Sequence, residues 1–398
     1  MQFDLHHSPD HQRRVMQSLD RLHIEIPSWG FANTGTRFGK FVQPAAASTL
    51  EEKFADAAEV NRLTGITPTI ALHVLWDLPE GDASVAQVRN LERTYGIRAG
   101  SINPNLFQDQ QYKFGSLCNP SEHIRQQAVE HVLDSIRIAQ ALDSRDISLW
   151  VADGSNYPGT QSISRRIDWL SGSLRAMHNA LSPSQRLLVE YKPFEPAFYH
   201  TDIADWGMAY ALAQAAGPQA RVLVDTGHHP LGTNIEQIVA WLLHLDMLGG
   251  FHFNDRKYAD DDLTLGSIDP YQIFRIFHEL LSRSALADVA FMIDQSHNLK
   301  DKVEAMVQTV MSAQELYARA ALVDPAHLAE LQDACDLVAA EEYFRGCFYT
   351  DIRPMVRQWR EEHNLPLHPL QALRESRYVE RMAAERGVKN LKTESSYA

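Results

Sequence analysis

The sequence predicts an α/β fold, a closed (β/α)8 TIM barrel with an additional C-terminal α-helical region, and three observations carry that expectation. Eight short apolar runs alternate with helical stretches through residues 1–300, the pattern of parallel strands joined by crossover helices. Neither a Gly-x-Gly-x-x-Gly nor a Walker pattern follows the first strand, which weighs against the alternative, a doubly wound open sheet. Ligand-type residues close each of the last four runs, and the carboxyl ends of barrel strands are where active sites form.

Taken in order, a polar helix over residues 8–20 leads to a first strand over 22–27 and a Gly-rich, aromatic loop over 28–38 that reads as a pocket rim. A helix over 49–64 precedes the second strand, 69–76, whose mostly apolar run suits burial on both faces. A helix over 83–94 precedes the third strand, 97–103. The next helix is the best marked: Asn119 can cap it, Pro120 suits its first position and Glu122 completes a capping box. Its apolar face is Ile124, Ala128, Val132, Ile136 and Ala139, at spacings of three and four. The remaining strands are expected at 146–154, 187–191, 221–224, from Gly250, and 289–293, with helices over 164–181, 202–216, 235–247 and 271–284 between them. Residues 301–398 read as a helical extension that packs on the barrel or against another subunit, with a break at 350–354, a linker at 365–369 and a last helix over 370–386.

A chain of 398 residues with a formal charge of -14 lacks the concentrated Lys and Arg that phosphate backbones require, so nucleic acid is not the expected partner. A small neutral or cationic ligand suits it better. The three cysteines, Cys118, Cys335 and Cys347, show no Cys-x-x-Cys spacing, which points to a reducing cytoplasm rather than a disulfide framework or thiolate zinc site. The first residues lack signal-peptide order, and no apolar run approaches the ~20 residues of a membrane helix, so a soluble protein is expected.

The chemistry concentrates late in the barrel. Glu190, Asp225, His252 and Asp294 would project from the ends of strands five to eight and converge on one cation, a set suited to Mn2+, Mg2+, Co2+ or Zn2+. His228 lies one turn beyond Asp225, and Asp260 and Asp262 stand two apart in an acidic loop, so a second cation can share Asp225. Singly, each of these residues reads as a surface or ion-paired group. Their joint placement after successive strands points to metal, and a neutral polyol would suit such a site. Lys192 can stabilise a developing oxyanion or simply pair with a ligand carboxylate. His73 can exchange protons with a sugar hydroxyl or be hydrogen-bonded core, and Trp29, Trp150 and Phe107 can wall the pocket or belong to the core.

The motifs Glu190-x-Lys192, Asp225-x-x-His228, Phe251-His252-Phe253-Asn254-Asp255, Asp260-x-Asp262 and Asp294-Gln295-Ser296-His297, in this order, resemble those of the xylose-isomerase-like barrel superfamily. Within it they resemble the L-rhamnose isomerases of the Pseudomonas stutzeri type, and the likeness runs through residues 29–38 and 150–154 into the helical C-terminal region. The resemblance implies a structural metal on Glu190, Asp225, His252 and Asp294, and a catalytic metal on His228, Asp260 and Asp262 with Asp225 shared. It also implies Mn2+, a homotetramer, and Phe38 reaching a neighbouring subunit's pocket. Where xylose isomerases place an acid three residues after the strand-two histidine, this chain has Trp76, with Asp77 next.

The expected activity is that of an intramolecular oxidoreductase, a metal-dependent aldose-ketose isomerase converting L-rhamnose to L-rhamnulose with relaxed aldose specificity, using Lys192, His73 and Asp294 as its catalytic groups. A ketose epimerase or an isomerase of another aldose is the alternative. A phosphodiesterase of the endonuclease IV kind would need a basic face, and a sugar-binding protein would not need so many ligand-type residues.

Overall fold

Eight parallel strands close the barrel: β1 (Glu25–Pro27), β2 (Thr69–His73), β3 (Arg98–Asn103), β4 (Asp146–Leu149), β5 (Arg186–Glu190), β6 (Ala220–Asp225), β7 (Leu248–Phe253) and β8 (Ala290–Ile293). The ring shuts at Glu25, which is in register with Thr69 on one side and Met292 on the other. This computed structural model describes residues 9–36, 39–154, 158–195, 199–258, 260–283 and 288–387. Phe38 lies outside them.

The strands read as apolar runs because helices cover the outside and side chains fill the inside, as β7, buried at all six positions, shows. Leu188, Leu223 and Met292 form the inner cluster. Gly249 makes room for it, since a Cβ there would lie 2.5 Å from a Leu188 methyl. At the amino end of the barrel, Arg186 donates to Asp146 Oδ1 at 2.8 Å and to the Gly249 carbonyl at 3.2 Å, which ties three strands together. The opposite end is free for chemistry.

Several boundaries differ from those expected. β2 stops at His73, and Val74–Asp77 forms a helical turn. Asp77 causes the bend: it accepts the His73 main-chain N–H at 2.9 Å and the Ser28 hydroxyl at 2.6 Å, and pairs with Lys53 at 2.5 Å, with Ser28, Lys53 and Asp77 itself buried. β4 ends at Leu149 rather than residue 154, because Asp153 turns away to accept Ser116 N, Ser116 Oγ and Cys118 N at 2.7 Å each. The Asn119 cap is not made. Its side chain serves the preceding loop, donating to the Gly115 carbonyl at 2.6 Å and accepting Ser121 N at 2.9 Å, so the helix starts at Glu122 without a side-chain cap. By contrast, Thr49 and Glu52 form a complete capping box on Leu50–Thr64.

After β8, the helix Lys302–Leu322 presents fifteen buried residues, and its apolar side chains join the continuous core between barrel and helices. The later helices clamp onto the side of the barrel: Trp359 donates to Asp20 at 2.8 Å, and Arg360 to the Leu63 carbonyl at 3.0 Å. The expected last helix is two, Pro369–Glu375 and Tyr378–Arg386, broken at Arg377, whose φ of +53° ends the first. Among the described residues no helix is long and apolar enough to cross a membrane.

Candidate metal centre

Parallel register sets the site. Glu190 ends β5 and Asp225 ends β6, while His252 lies one residue from the end of β7, directly beside Asp225, and Asp294 follows β8. Each offers one ligand atom, and these four atoms lie within 4.8 Å of one another. His252 Nδ1 faces Glu190 Oε2 at 3.3 Å, Asp294 Oδ2 at 3.6 Å and Asp225 Oδ2 at 3.9 Å.

The second group adjoins the first. His228 Nδ1 donates to the Tyr191 carbonyl at 3.1 Å, which leaves Nε2 turned to Asp260 Oδ1 at 3.5 Å and Asp225 Oδ2 at 3.8 Å. Asp262 takes a left-handed backbone, φ +45°, and His297 Nε2 donates to its carbonyl at 2.8 Å. All seven expected ligand residues therefore converge. Six of them line a cavity of about 210 Å³, and Asp225 is wholly buried behind them.

So many buried acids and imidazoles cannot hold their ordinary protonation. Burial pushes Asp225 up to about 7, the His228 charge opposing it. Burial disfavours both imidazolium ions, yet Asp225 and Asp260 outweigh it at His228, raised to about 10, and Glu190 and Asp294 do so at His252, raised to about 9. Asp262 is pushed well up by burial, then by Asp260 and Asp294. Asp260 is held well below the usual carboxylate range, because His228 and Lys192 overcome its burial. The donor set, carboxylates with imidazoles, fits a divalent cation. In particular His252 Nδ1 and Asp260 Oδ1 are buried with ion-pair contacts of 3.3 Å and 3.5 Å but no well-formed hydrogen bond, which is the state coordination to a cation would replace.

Around these groups stand the other expected residues. Lys192 Nζ pairs with Asp260 Oδ2 at 2.6 Å and sits 5.3 Å from the Trp150 ring centre, so the ion-pair reading holds while the ammonium still lines the cavity. Trp29 does more than wall the pocket, since its Nε1 donates to Asp294 Oδ1 at 2.9 Å. His73 packs among Trp29, Trp76 and Phe107 at centroid distances of 4.7, 4.1 and 5.9 Å. Burial, then the Lys53 charge, pushes it down to about 3, so its ring is neutral. Phe107 meets Trp150 at 5.0 Å and closes the aromatic wall.

The sequence reading missed Trp76, Asn103 and Ser148 as cavity-lining residues. Trp76 looked like a strand residue until the turn at Asp77 brought it over the pocket. Ser148 is a small inward residue near the end of β4, without a motif to mark it, yet its hydroxyl is buried and unpaired. Asn254, within the motif Phe251–Asp255, is a further residue for which the sequence suggests no role.

Fold and site together define a class: (β/α)8 barrels with a carboxylate and imidazole cluster, able to hold metal ions, at the carboxyl ends of the strands. The chain belongs to the xylose isomerase-like TIM barrel family, whose profile matches residues 54–284. It is 40% identical over 372 residues to a probable sugar isomerase of Rhizobium meliloti, covering 91% of this chain and 86% of that one. A probable sugar isomerase of Mesorhizobium japonicum is 37% identical over 381 residues, covering 94% and 88%. Among solved structures, the fold is similar to a 3-keto-D-glucoside 4-epimerase from E. coli, with a TM-score of 0.54 at 13% identity over 74% of this chain and 98% of that one. A D-allulose 3-epimerase from Methylomonas sp. gives 0.53 at 14% identity over 73% and 96%.

Proposed function

We propose that this protein is a metal-dependent sugar isomerase that interconverts an aldose and a ketose, with L-rhamnose and L-rhamnulose as the first pair to test. The observation that carries the reading is the convergence of seven ligand-type side chains, six of them lining, with Lys192, a cavity of about 210 Å³ walled by Trp29, Phe107 and Trp150, and the seventh, Asp225, buried behind it. That volume suits a single monosaccharide, and the aromatic wall suits its apolar face. Among the described residues Lys192 is the one Lys or Arg lining the cavity, and it is already paired with Asp260, which argues for an unphosphorylated substrate. The two relatives named as probable sugar isomerases support the same reading. The choice of L-rhamnose rests on the motif resemblance, and other aldoses belong in the first panel.

Glu190, Asp225, His252 and Asp294 would hold one ion, and His228, Asp260 and Asp262, sharing Asp225, a second, with Mn2+ the first choice. Such ions polarise neighbouring hydroxyl and carbonyl oxygens and lower the cost of deprotonating a hydroxyl. Lys192 stabilises negative charge that develops on the sugar oxygen beside it. Asp294, oriented by Trp29, carries a proton to or from a substrate oxygen. His73 contributes a neutral imidazole that can accept or donate one hydrogen bond. Free, buried thiols at Cys118 and Cys347 suit a cytoplasmic protein. Phe41, Phe114, Leu231 and Tyr258 are exposed on loops at the strand carboxyl ends and Leu75 on the helical turn after β2, which supports subunits that meet around the pocket, as in the homotetramer that the motif resemblance implies.

The deciding assay is ketose formation from L-rhamnose by chelator-stripped protein with and without Mn2+. Ketose that appears only with metal is the expected result. Bound metal without ketose from any aldose would redirect the reading to ketose epimerisation. In heavy water, deuterium at C1 of the product would count against a pure hydride shift.

A further inference from the structure

Asp225 is the one residue that both ion sets share, so the direction in which its two oxygens point decides whether two ions can sit side by side. Oδ1 accepts Gly227 N at 2.6 Å and Asn254 Nδ2 at 3.1 Å, and the same Nδ2 lies 3.3 Å from Oδ2, so the amide spans the carboxylate while Gly227 fixes which oxygen faces the turn. Oδ2 stands nearly equidistant from the two imidazole nitrogens that face the clusters, 3.8 Å from His228 Nε2 and 3.9 Å from His252 Nδ1. The same Asn254 amide nitrogen, wholly buried, also reaches the Asp294 carbonyl at 3.1 Å and Asp262 Oδ1 at 3.5 Å. One donor group thus touches the shared acid, a member of the first set and a member of the second.

Its own position is over-determined. Asn254 N donates to Thr226 Oγ1 at 3.0 Å, and that hydroxyl donates back to the Asn254 carbonyl at 2.8 Å, binding the chain after β7 to the turn after β6. The amide packs against Gly227, where a Cβ would stand 2.4 Å from Asn254 Oδ1. Its Oδ1 has no hydrogen-bond partner. Turning the amide over would aim that oxygen at the Asp225 carboxylate and the Asp294 carbonyl, so the acceptors on that side hold the NH2 toward them.

Resting on the two-metal reading above, we propose that Asn254 is the positioning residue of a paired ion site: it holds Asp225 so that Oδ2 faces both His228 and His252, and keeps Asp262 in register with Asp294. It is not among the residues that line the cavity. Removing its amide should leave the Glu190, His252 and Asp294 side able to bind, and release the second ion.

The test is Mn2+ titration of the chelator-stripped chain, followed by electron paramagnetic resonance, which separates isolated from spin-coupled Mn2+. The native protein should take up two equivalents and show a coupled spectrum. N254A should bind the first equivalent as the native chain does and the second about 10- to 100-fold more weakly, the usual effect of losing a partner of a metal ligand. Its coupled spectrum should disappear at stoichiometric metal. N254D, which keeps the shape and exchanges the NH2 for oxygen, should show the same loss, and it decides the matter if N254A does not fold. Native-like uptake of both equivalents with the coupled spectrum intact in both variants would overturn the assignment. A native chain that takes up no Mn2+ would overturn the metal reading itself, a result seen before any variant is examined.

Discussion

Asp77 binds the main-chain N–H of His73 at 2.9 Å and leaves the imidazole, whose buried Nδ1 has no partner, without a carboxylate. The acid one place beyond the position where xylose isomerases carry theirs serves the backbone instead, with Ser28 and Lys53 as its other contacts. On the proposed reading, His73 would act on the sugar as a neutral hydrogen-bonding group. Replacing it by Asn should lower kcat/KM about 10-fold, the worth of one hydrogen bond, and leave the shape of the pH profile between pH 6 and 9 unchanged. Loss of the acid limb in that profile would show instead that His73 carries the proton. Asp77→Asn should act on stability: it strands the buried Lys53 charge, costing ~3–5 kcal/mol in a denaturant titration.

Lys192 offers a separate test, because its ammonium is both a partner of Asp260 and a wall of the cavity. Lys192→Met should reduce kcat by ~10²–10³ with little change in KM if the charge stabilises a developing oxyanion, a loss of the size seen when an oxyanion donor is removed. Mn2+ uptake should persist, since Lys192 is no ligand. An unaltered kcat would reduce its role to the ion pair.

The metal-free protein should respond to pH in a defined direction. His228 and His252 are raised to about 10 and about 9, above the ~6.5 of an exposed histidine, so the folded state binds their protons more tightly than the unfolded state does. That contribution is full below about pH 6.5 and is lost as pH climbs through 9 and 10. Asp225, raised to about 7, adds a loss of the same sign. Chelator-treated protein should therefore unfold at lower denaturant at pH 9.5 than at pH 7. Mn2+ binding at pH 8 should release protons, because coordination replaces them, and calorimetry in buffers of different ionisation enthalpy measures that release. Equal stability at the two pH values, with no protons released, would refute this electrostatic picture.

What the chain disclosed beforehand follows from how each feature is written. Strands covered by helices leave uninterrupted apolar runs, and the ligands at their ends stand in local motifs, so barrel and cluster were both legible. Pockets are not written locally. Trp76 lines the cavity because Asp77 bends the chain through contacts with Ser28 and Lys53, 49 and 24 residues away. Asn119 had the right neighbours for a cap, but its amide was taken by Gly115 and Ser121. Asn254 gained its role only once β6, β7 and β8 lay side by side.

The C-terminal helix Tyr378–Arg386 is held by a buried acid on the helix Leu50–Thr64, and this latch gives a prediction remote from the cavity. Asp56 accepts the Tyr378 hydroxyl at 2.7 Å and both Arg386 Nη groups at 2.8 Å, and Arg386 Nη1 also donates to the Ala45 carbonyl. Burial outweighs the arginine and pushes Asp56 up to about 6. Arg386→Ala removes the counter-charge of an ionised buried acid, a change that costs ~3–5 kcal/mol at neutral pH. Because Asp56 takes up a proton below about pH 6, the cost should shrink toward pH 5, where the neutral acid needs no partner. Denaturant titrations of native and variant chains at pH 5 and pH 8 measure both values. A difference between the chains that is the same at both pH values would mean that Arg386 acts through packing and its hydrogen bond to Ala45 rather than through charge.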